Sequence, residues 1–168
     1  MRTLKIALLA TVASAAFSSA AFAADLIIDD SPIYSAPAAS YGLDGPYMGI
    51  YVLGMSAPAT FGAGVVLGAN FATDGFLLGI EGDLAVNTTP DFFGQVVGKA
   101  GFMAGDSAAI YGLAGAGWDT LSGFYVPVGI GAEFLVSDGL SLKAQGEYHW
   151  TNGGADRIVG KVGLNWHF

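Results

Sequence analysis

Apolar and polar residues alternate one by one through most of the chain after residue 45. In the segment 140–150, leucine, alanine, glycine and aromatic residues occupy the even positions. Serine, lysine, glutamine, glutamate and histidine occupy the odd positions. A period of two residues is typical of a β-strand whose two faces have different surroundings. The alternation therefore predicts an all-β fold.

The alternating segments recur at a fixed interval of 32 residues, marked by turn sequences that contain Asp74, Asp106 and Asp138. A unit of this length accommodates two strands of about 10 to 12 residues, a tight turn and a longer loop, which is a repeated β-hairpin. The sequence predicts eight strands near residues 46–55, 61–72, 76–86, 93–103, 108–118, 124–136, 140–150 and 157–168.

The composition indicates where such a sheet would reside. Of the 168 residues, 53% are hydrophobic, only 12% are charged and 26 are glycine. Apart from the extreme N-terminus, no segment approaches the roughly 18 apolar residues of a membrane-spanning helix. A closed antiparallel barrel can enter lipid without a helix, because its strands satisfy all backbone hydrogen bonds among themselves.

Aromatic residues near the strand ends share the apolar parity, as Phe61, Phe71, Trp118 and Trp150 do. Girdles of aromatic residues at both ends of an apolar band match the two interfaces of a membrane. A soluble sandwich would instead carry dense charge on its polar face. We therefore expect residues 46–168 to form an eight-stranded, antiparallel, up-and-down transmembrane β-barrel with short loops.

The N-terminus has the three parts of a secretory signal peptide. Arg2 and Lys5 provide the basic start, residues 6–17 the apolar centre, and residues 21–23 a cleavage site of the Ala-x-Ala type. We expect residues 1–23 to be removed on export, which leaves an irregular periplasmic leader over 24–45. Removal takes away two of six basic residues and none of fourteen acidic ones, so the net charge changes from −8 to −10.

Several functional classes are disfavoured by the residues that the chain lacks. An acidic chain without a basic patch cannot neutralise phosphates, so no nucleic-acid partner is expected. Without cysteine there is no disulfide, thiolate metal site or thiol nucleophile. Two histidines on different predicted strands give only a weak metal signal, so neither a metal nor a cofactor is expected.

The last predicted strand, 157–168, places Leu164, Trp166 and Phe168 on one parity and ends the chain on an aromatic residue. This ending resembles the C-terminal signal read by the outer-membrane assembly machinery of Gram-negative bacteria. Together with the segments 45–51 and 146–150, it makes residues 45–168 resemble the small eight-stranded outer-membrane barrel family. The similarity extends to the OmpA membrane domain and, more strongly, to alphaproteobacterial surface porin-like proteins.

The resemblance implies a location in the outer membrane with both termini in the periplasm. It also implies three partners: outer-membrane lipids, lipopolysaccharide and the barrel assembly machinery. The predicted loops do not exceed about seven residues, shorter than in many members of the family. A role as an adhesin or receptor carried by long loops is therefore disfavoured.

An eight-stranded barrel has an interior that side chains can just fill. Buried charges must be paired and hydrogen-bonded to be tolerated. The inward parity therefore predicts a lumen charge network, which we expect to close a structural barrel that contributes to membrane integrity and exposes its loops at the surface. An ion pathway in a narrow, low-conductance pore is the alternative. The network consists of Glu81, Asp83, Lys99, Glu133, Lys143, Glu147 and Lys161.

A lipid A-modifying hydrolase is a further and less favoured alternative. The sequence from His149 to Asn152 loosely resembles the His-x-Ser-Asn motif of barrel lipid A deacylases, with Thr151 in place of the nucleophilic serine. A nucleophile requires a base within hydrogen-bond reach and a third group that orients the base. A structural histidine that makes hydrogen bonds explains His149 better than a catalytic one, and the same holds for His167. We therefore do not expect an enzyme.

Overall fold

A computed structural model describes residues 42–73, 75–89, 91–152 and 154–168. Within these ranges every strand pairs with its neighbour in antiparallel orientation, and β1 also pairs with β8, so the sheet closes into a barrel. The strands are β1 (Gly45–Ser56), β2 (Ala59–Thr73), β3 (Phe76–Asn87), β4 (Phe92–Met103), β5 (Ala108–Asp119), β6 (Gly123–Ser137), β7 (Leu140–Thr151) and β8 (Arg157–His167).

The predicted fold class is confirmed, and each predicted strand boundary lies within two residues of the observed one. The described parts of the chain contain no helix long and apolar enough to cross a membrane. The predicted signal peptide, most of the predicted leader and the turn residue Asp74 lie outside the described residues.

The alternation in sequence becomes an inside and an outside. In β7 the odd residues from Ser141 to His149 are buried in the lumen, and the even residues are exposed on the outer surface. The outer surface is apolar at mid-height, where Ile130 is 72% exposed. Aromatic side chains stand nearer the strand ends, with Phe61 and Phe102 exposed by 75% and 66%. This is the arrangement of an apolar band between two aromatic girdles.

The two ends of the barrel differ in their connections. At the end where the chain enters and leaves the barrel, three turns occupy residues 74–75, 104–107 and 138–139. Gly75 and Gly139 have positive φ angles of 83° and 69°, which suit tight hairpin turns. The opposite end carries the connections 57–58, 88–91, 120–122 and 152–156, of which the last is the longest.

Candidate functional site

The centre of the lumen contains a group of charges around Glu81, which is only 1% exposed. Its carboxylate lies 2.9 Å from Lys143 Nζ and 3.2 Å from Lys99 Nζ. The Tyr47 hydroxyl donates to Glu81 Oε2 at 2.6 Å, and Gln145 Nε2 donates to Oε1 at 3.3 Å. These residues belong to β1, β3, β4 and β7, so their contacts connect opposite sides of the wall.

A second central group is held by Lys161 of β8. Its ammonium lies 3.1 Å from Asp83 Oδ2 and 2.8 Å from Glu147 Oε1. The Tyr51 hydroxyl donates to Asp83 Oδ1 at 2.8 Å, and Gln95 Nε2 donates to Glu147 Oε2 at 3.1 Å. Lys161 therefore bridges two buried carboxylates that come from non-neighbouring strands.

A third group lies toward the end with the longer connections. His149 Nε2 lies 2.7 Å from Glu147 Oε2, and Arg157 Nε donates to His149 Nδ1 at 3.5 Å. Arg157 also forms a salt bridge with Asp119. The ring of His149 stacks on that of Tyr125, with 4.5 Å between centroids. These contacts connect β5, β6, β7 and β8 in the part of the lumen near that end.

Glu133, near the end where the chain enters, is the carboxylate of the predicted network that has no lysine partner among the residues that the structure describes. Its carboxylate accepts hydrogen bonds from Ser141 Oγ and from Asn165 Nδ2, the latter at 2.7 Å. His167 Nε2 lies 3.2 Å away. Among the described residues, His167 is the only basic side chain within salt-bridge distance of Glu133. The other six residues of the predicted network are buried and joined by the contacts given above.

Four tyrosine rings fill much of the remaining lumen, and the sequence analysis did not single them out. Each lies over a glycine of the next strand; the pairs are Tyr47 with Gly68, Tyr51 with Gly64, Tyr111 with Gly131 and Tyr125 with Gly117. A Cβ atom at any of these glycines would overlap the facing ring. The available signal was an inward tyrosine whose cross-strand partner is glycine.

Leu43 also escaped the sequence analysis, because it precedes the alternating pattern. Its side chain is 1% exposed and packs against inward residues of β3, β4 and β5. Its carbonyl accepts a hydrogen bond from Asn70 Nδ2 at 3.0 Å, and Asp44 Oδ1 accepts one from the Ala72 amide at 2.8 Å. The short segment before β1 therefore covers part of the barrel mouth.

The structure does not form the nucleophile–base pair suggested by His149 and Thr151. The Thr151 hydroxyl donates to the Gly154 carbonyl at 2.7 Å. Both ring nitrogens of His149 are occupied, because Arg157 donates to Nδ1 and Glu147 faces Nε2. A proton on Nε2 satisfies both contacts, which leaves no free lone pair to activate a hydroxyl.

The C-terminal residues Leu164, Trp166 and Phe168 lie on the outer parity of the last strand and its end, and Trp166 and Phe168 are exposed by 41% and 68%. In the described ranges no group of three or more histidine, aspartate or glutamate side chains is arranged to hold a metal ion. The chemistry of the lumen is therefore that of paired charges and hydrogen bonds.

No protein-family model matches the chain. A 25 kDa outer-membrane immunogenic protein of Brucella abortus is 29% identical over 184 aligned positions, which cover 96% of this chain and 83% of that protein. The Brucella ovis protein of the same name is also 29% identical, with 88% of its length covered.

Solved structures match the barrel. Ail of Yersinia pestis, in complex with the heparin analogue sucrose octasulfate, aligns with a TM-score of 0.55 and 14% identity over 74% of this chain and 99% of Ail. The N-terminal β-barrel domain of Pseudomonas aeruginosa OprF aligns with a TM-score of 0.53 and 15% identity, covering 73% and 97% of the two chains.

The chain is a small integral outer-membrane β-barrel protein. The named relatives locate it in the outer membrane, as predicted, and the barrel has the apolar outer surface that this location requires. Its outer surface contacts the lipids and lipopolysaccharide of that membrane. The Brucella relatives are named as outer-membrane proteins, and the OprF domain is named as a β-barrel.

Proposed function

We propose that this outer-membrane protein is a closed, non-conducting barrel that contributes to the integrity of the membrane. The observation that carries the proposal is the bridging of Asp83 and Glu147 by Lys161 across the lumen, at 3.1 and 2.8 Å. Opening a continuous water path would separate these ions and their hydrogen-bond partners. Breaking a buried pair is strongly destabilising, so the paired network favours the closed state.

The two mouths support the same proposal. Leu43 is buried at the end where the chain enters, and the salt bridge of Arg157 with Asp119 lies toward the other end. Four tyrosine rings occupy space between them. A narrow pore would need a path past all of these side chains, and eight strands leave little interior space beyond what side chains fill.

The proposed orientation places both termini in the periplasm. Connections at the opposite end are longer on average and include the longest one, 152–156, as is usual for the extracellular side of such barrels. The loops 88–91, 120–122 and 152–156 then face the outside, where they would be accessible to antibodies. The Brucella relative carries the word immunogenic in its name, which supports a role as a surface antigen.

Two segments at the ends of the chain are proposed to direct export and assembly. Residues 1–23 have the composition of a signal peptide, and removal would leave the leader 24–45 in the periplasm. The outward side chains of Leu164, Trp166 and Phe168 would be read by the barrel assembly machinery during insertion.

Planar-bilayer recording of the refolded full chain tests closure. We expect no stable conductance above the leak of the bilayer. A variant that removes the second central group, with Lys161, Asp83 and Glu147 each replaced by alanine, should conduct more than the parent, because water then replaces these side chains. Stable conductance of the parent barrel would favour the narrow pore and overturn the proposal.

A strain that lacks the protein tests the role in the membrane. We expect increased leakage of a periplasmic enzyme, restored by the parent chain. The acylation pattern of lipid A should stay unchanged, because His149 and Thr151 form no catalytic pair. Unchanged leakage would contradict the integrity role, and an altered acylation pattern would revive the hydrolase.

A further inference from the structure

The outer surface is not uniformly convex. A hollow of about 570 Å³ lies on the lipid-facing side of β2 to β6, in the half of the barrel near the longer connections. Two cross-strand rows form it. One row runs from Leu84 through Gly94 to Trp118 and Phe124, and the other runs from Leu67 through Gly82 to Val96 and Ala116.

The hollow exists because Gly82 of the second row has no side chain on the outward parity, whereas the outward Gly94 of the first row is covered by the Leu84 side chain. Gly82 lies between Leu67 and Val96, and a Cβ atom there would meet nothing closer than the Gln95 carbonyl at 3.9 Å. Larger apolar side chains project on both sides, with Leu84 66% exposed. The result is an apolar depression between raised apolar walls.

Such a depression in a bilayer must be filled to avoid losing dispersion contacts. It is continuous with the lipid-contacting surface, and in the hydrocarbon region the abundant flexible apolar group is a lipid acyl chain. Trp118 and Phe124 stand at its upper edge, where aromatic side chains mark the membrane interface. The chain that fits would therefore descend from the headgroup region beside these rings.

We propose that this hollow is a binding site for an acyl chain of lipopolysaccharide. The inference rests on the proposed orientation, which places the hollow in the outer leaflet. Lipopolysaccharide is the lipid of that leaflet in Gram-negative bacteria. The contact is thus a defined site on one side of the barrel, distinct from general lipid contact.

Two carboxylates lie close to the hollow at the end with the longer connections, and both are buried. Asp91 is 1% exposed and accepts hydrogen bonds from the amide and hydroxyl of Thr120. Asp119 is fully buried and pairs with Arg157. Neither carboxylate is therefore exposed toward a headgroup above the hollow, and Asp119 is also neutralised by its guanidinium partner.

The exposed residues of these loops within the described ranges include Thr88 and Thr89, whose hydroxyls can bond to sugar and phosphate oxygens. The loop between β7 and β8 differs, because its Asp156 carboxylate is exposed. Neutral hydroxyls thus lie in the β3–β4 loop next to the hollow, whereas the exposed Asp156 lies above another part of the barrel.

Fluorescence of Trp118 provides a local test. The two other tryptophans, Trp150 and Trp166, are replaced by phenylalanine in the full-length chain, which leaves Trp118 as the single reporter. The barrel is reconstituted in phospholipid vesicles with brominated acyl chains, which quench a contacting indole. We expect added unbrominated lipopolysaccharide to protect Trp118 from quenching, and an equal amount of unbrominated phospholipid to protect it less.

A matched pair of glycine substitutions locates the protection. Gly82→Leu fills the hollow, and Gly98→Leu adds the same side chain at another outward position with equally open space. Both variants should fold, as judged by the migration difference between heated and unheated samples on a denaturing gel. We expect Gly82→Leu to lose the protection and Gly98→Leu to keep it.

Equal protection by both lipids, or retained protection in Gly82→Leu, would overturn the proposal. Orientation is checked separately by Thr89→Cys in a chain that has no other cysteine. Labelling by a membrane-impermeant maleimide in intact cells supports the orientation. Labelling only after permeabilisation would refute the orientation and with it the outer-leaflet site, while leaving the closed lumen to the conductance test.

Discussion

Neighbouring residues of β2 have opposite surroundings. Gly64 faces the lumen, where the ring of Tyr51 covers it, and Val65 faces the bilayer with 53% of its surface exposed. The lumen position accepts only glycine, because the Tyr51 ring occupies the space that a side chain would need. The lipid position requires only an apolar side chain, because the surrounding acyl chains adapt to its shape.

The same contrast holds for charge. Inside, a lysine such as Lys161 is tolerated because two carboxylates lie within 3.1 Å. Outside, a charge would have no partner in the hydrocarbon. The inner face is thus stabilised by specific pairs, and the outer face by a match to its solvent. We expect the largest effects from substitutions that remove a charge partner inside the lumen or introduce a charge on the lipid-facing surface.

The largest effect is expected for Lys161→Met, which leaves Asp83 and Glu147 without their shared cation. Removal of one partner from a buried pair costs about 3–5 kcal/mol. The measurement is the free energy of unfolding in urea for the barrel in lipid vesicles. Adding Asp83→Asn and Glu147→Gln should recover part of the loss, because no charge then remains unpaired. An unchanged urea midpoint in the single variant would contradict the network.

A smaller effect is expected for a charge on the outer face, and it should depend on depth. Ile130→Arg, near the middle of β6, should cost about 2–4 kcal/mol, and Val136→Arg, near the strand end, about 0–1 kcal/mol. Both native side chains are exposed to the outside, by 72% and 56%. Equal costs in the same vesicle assay would show that the two positions do not differ in depth.

The smallest of the three effects compares glycines of opposite faces. Gly64→Ala inserts a methyl group into space held by the Tyr51 ring, and overpacking of this kind costs about 1–3 kcal/mol. Gly98→Ala adds the same group on the open outer face, so its change should stay within about 0.5 kcal/mol. If both variants had the same stability, the pairing of Tyr51 with Gly64 would not be a specific fit.

Much of the fold could be predicted because the wall of a barrel is periodic. The odd or even position of a residue in its strand was enough to separate the lipid-facing residues from lumen residues such as Glu81 and Lys143. The 32-residue interval between turn sequences gave the number of strands. The aromatic residues near the strand ends could also be predicted, because they recur at the same places in each strand. These features depend only on the local sequence and on whether a side chain faces lipid or the lumen, and both can be read from a single sequence.

Partner choice inside the lumen could not be predicted in the same way. Four inward carboxylates and three lysines allow several pairings, and the stagger of the strands decides among them. The structure gives Glu81 two lysines and gives Glu133 a histidine. The fit of each tyrosine to a glycine likewise depends on register. Leu43 lies before the periodic region, so no pattern marked it as buried.

The position of Leu43 determines which residue a shortened chain for recombinant production should start with. Strand assignment would place the first residue at Gly45. Such a truncation would remove the leucine buried in the mouth, its carbonyl bond to Asn70 and the Asp44 bond to the Ala72 amide. A shortened chain for refolding should therefore start no later than Gly42, because the folded unit is longer than its set of strands.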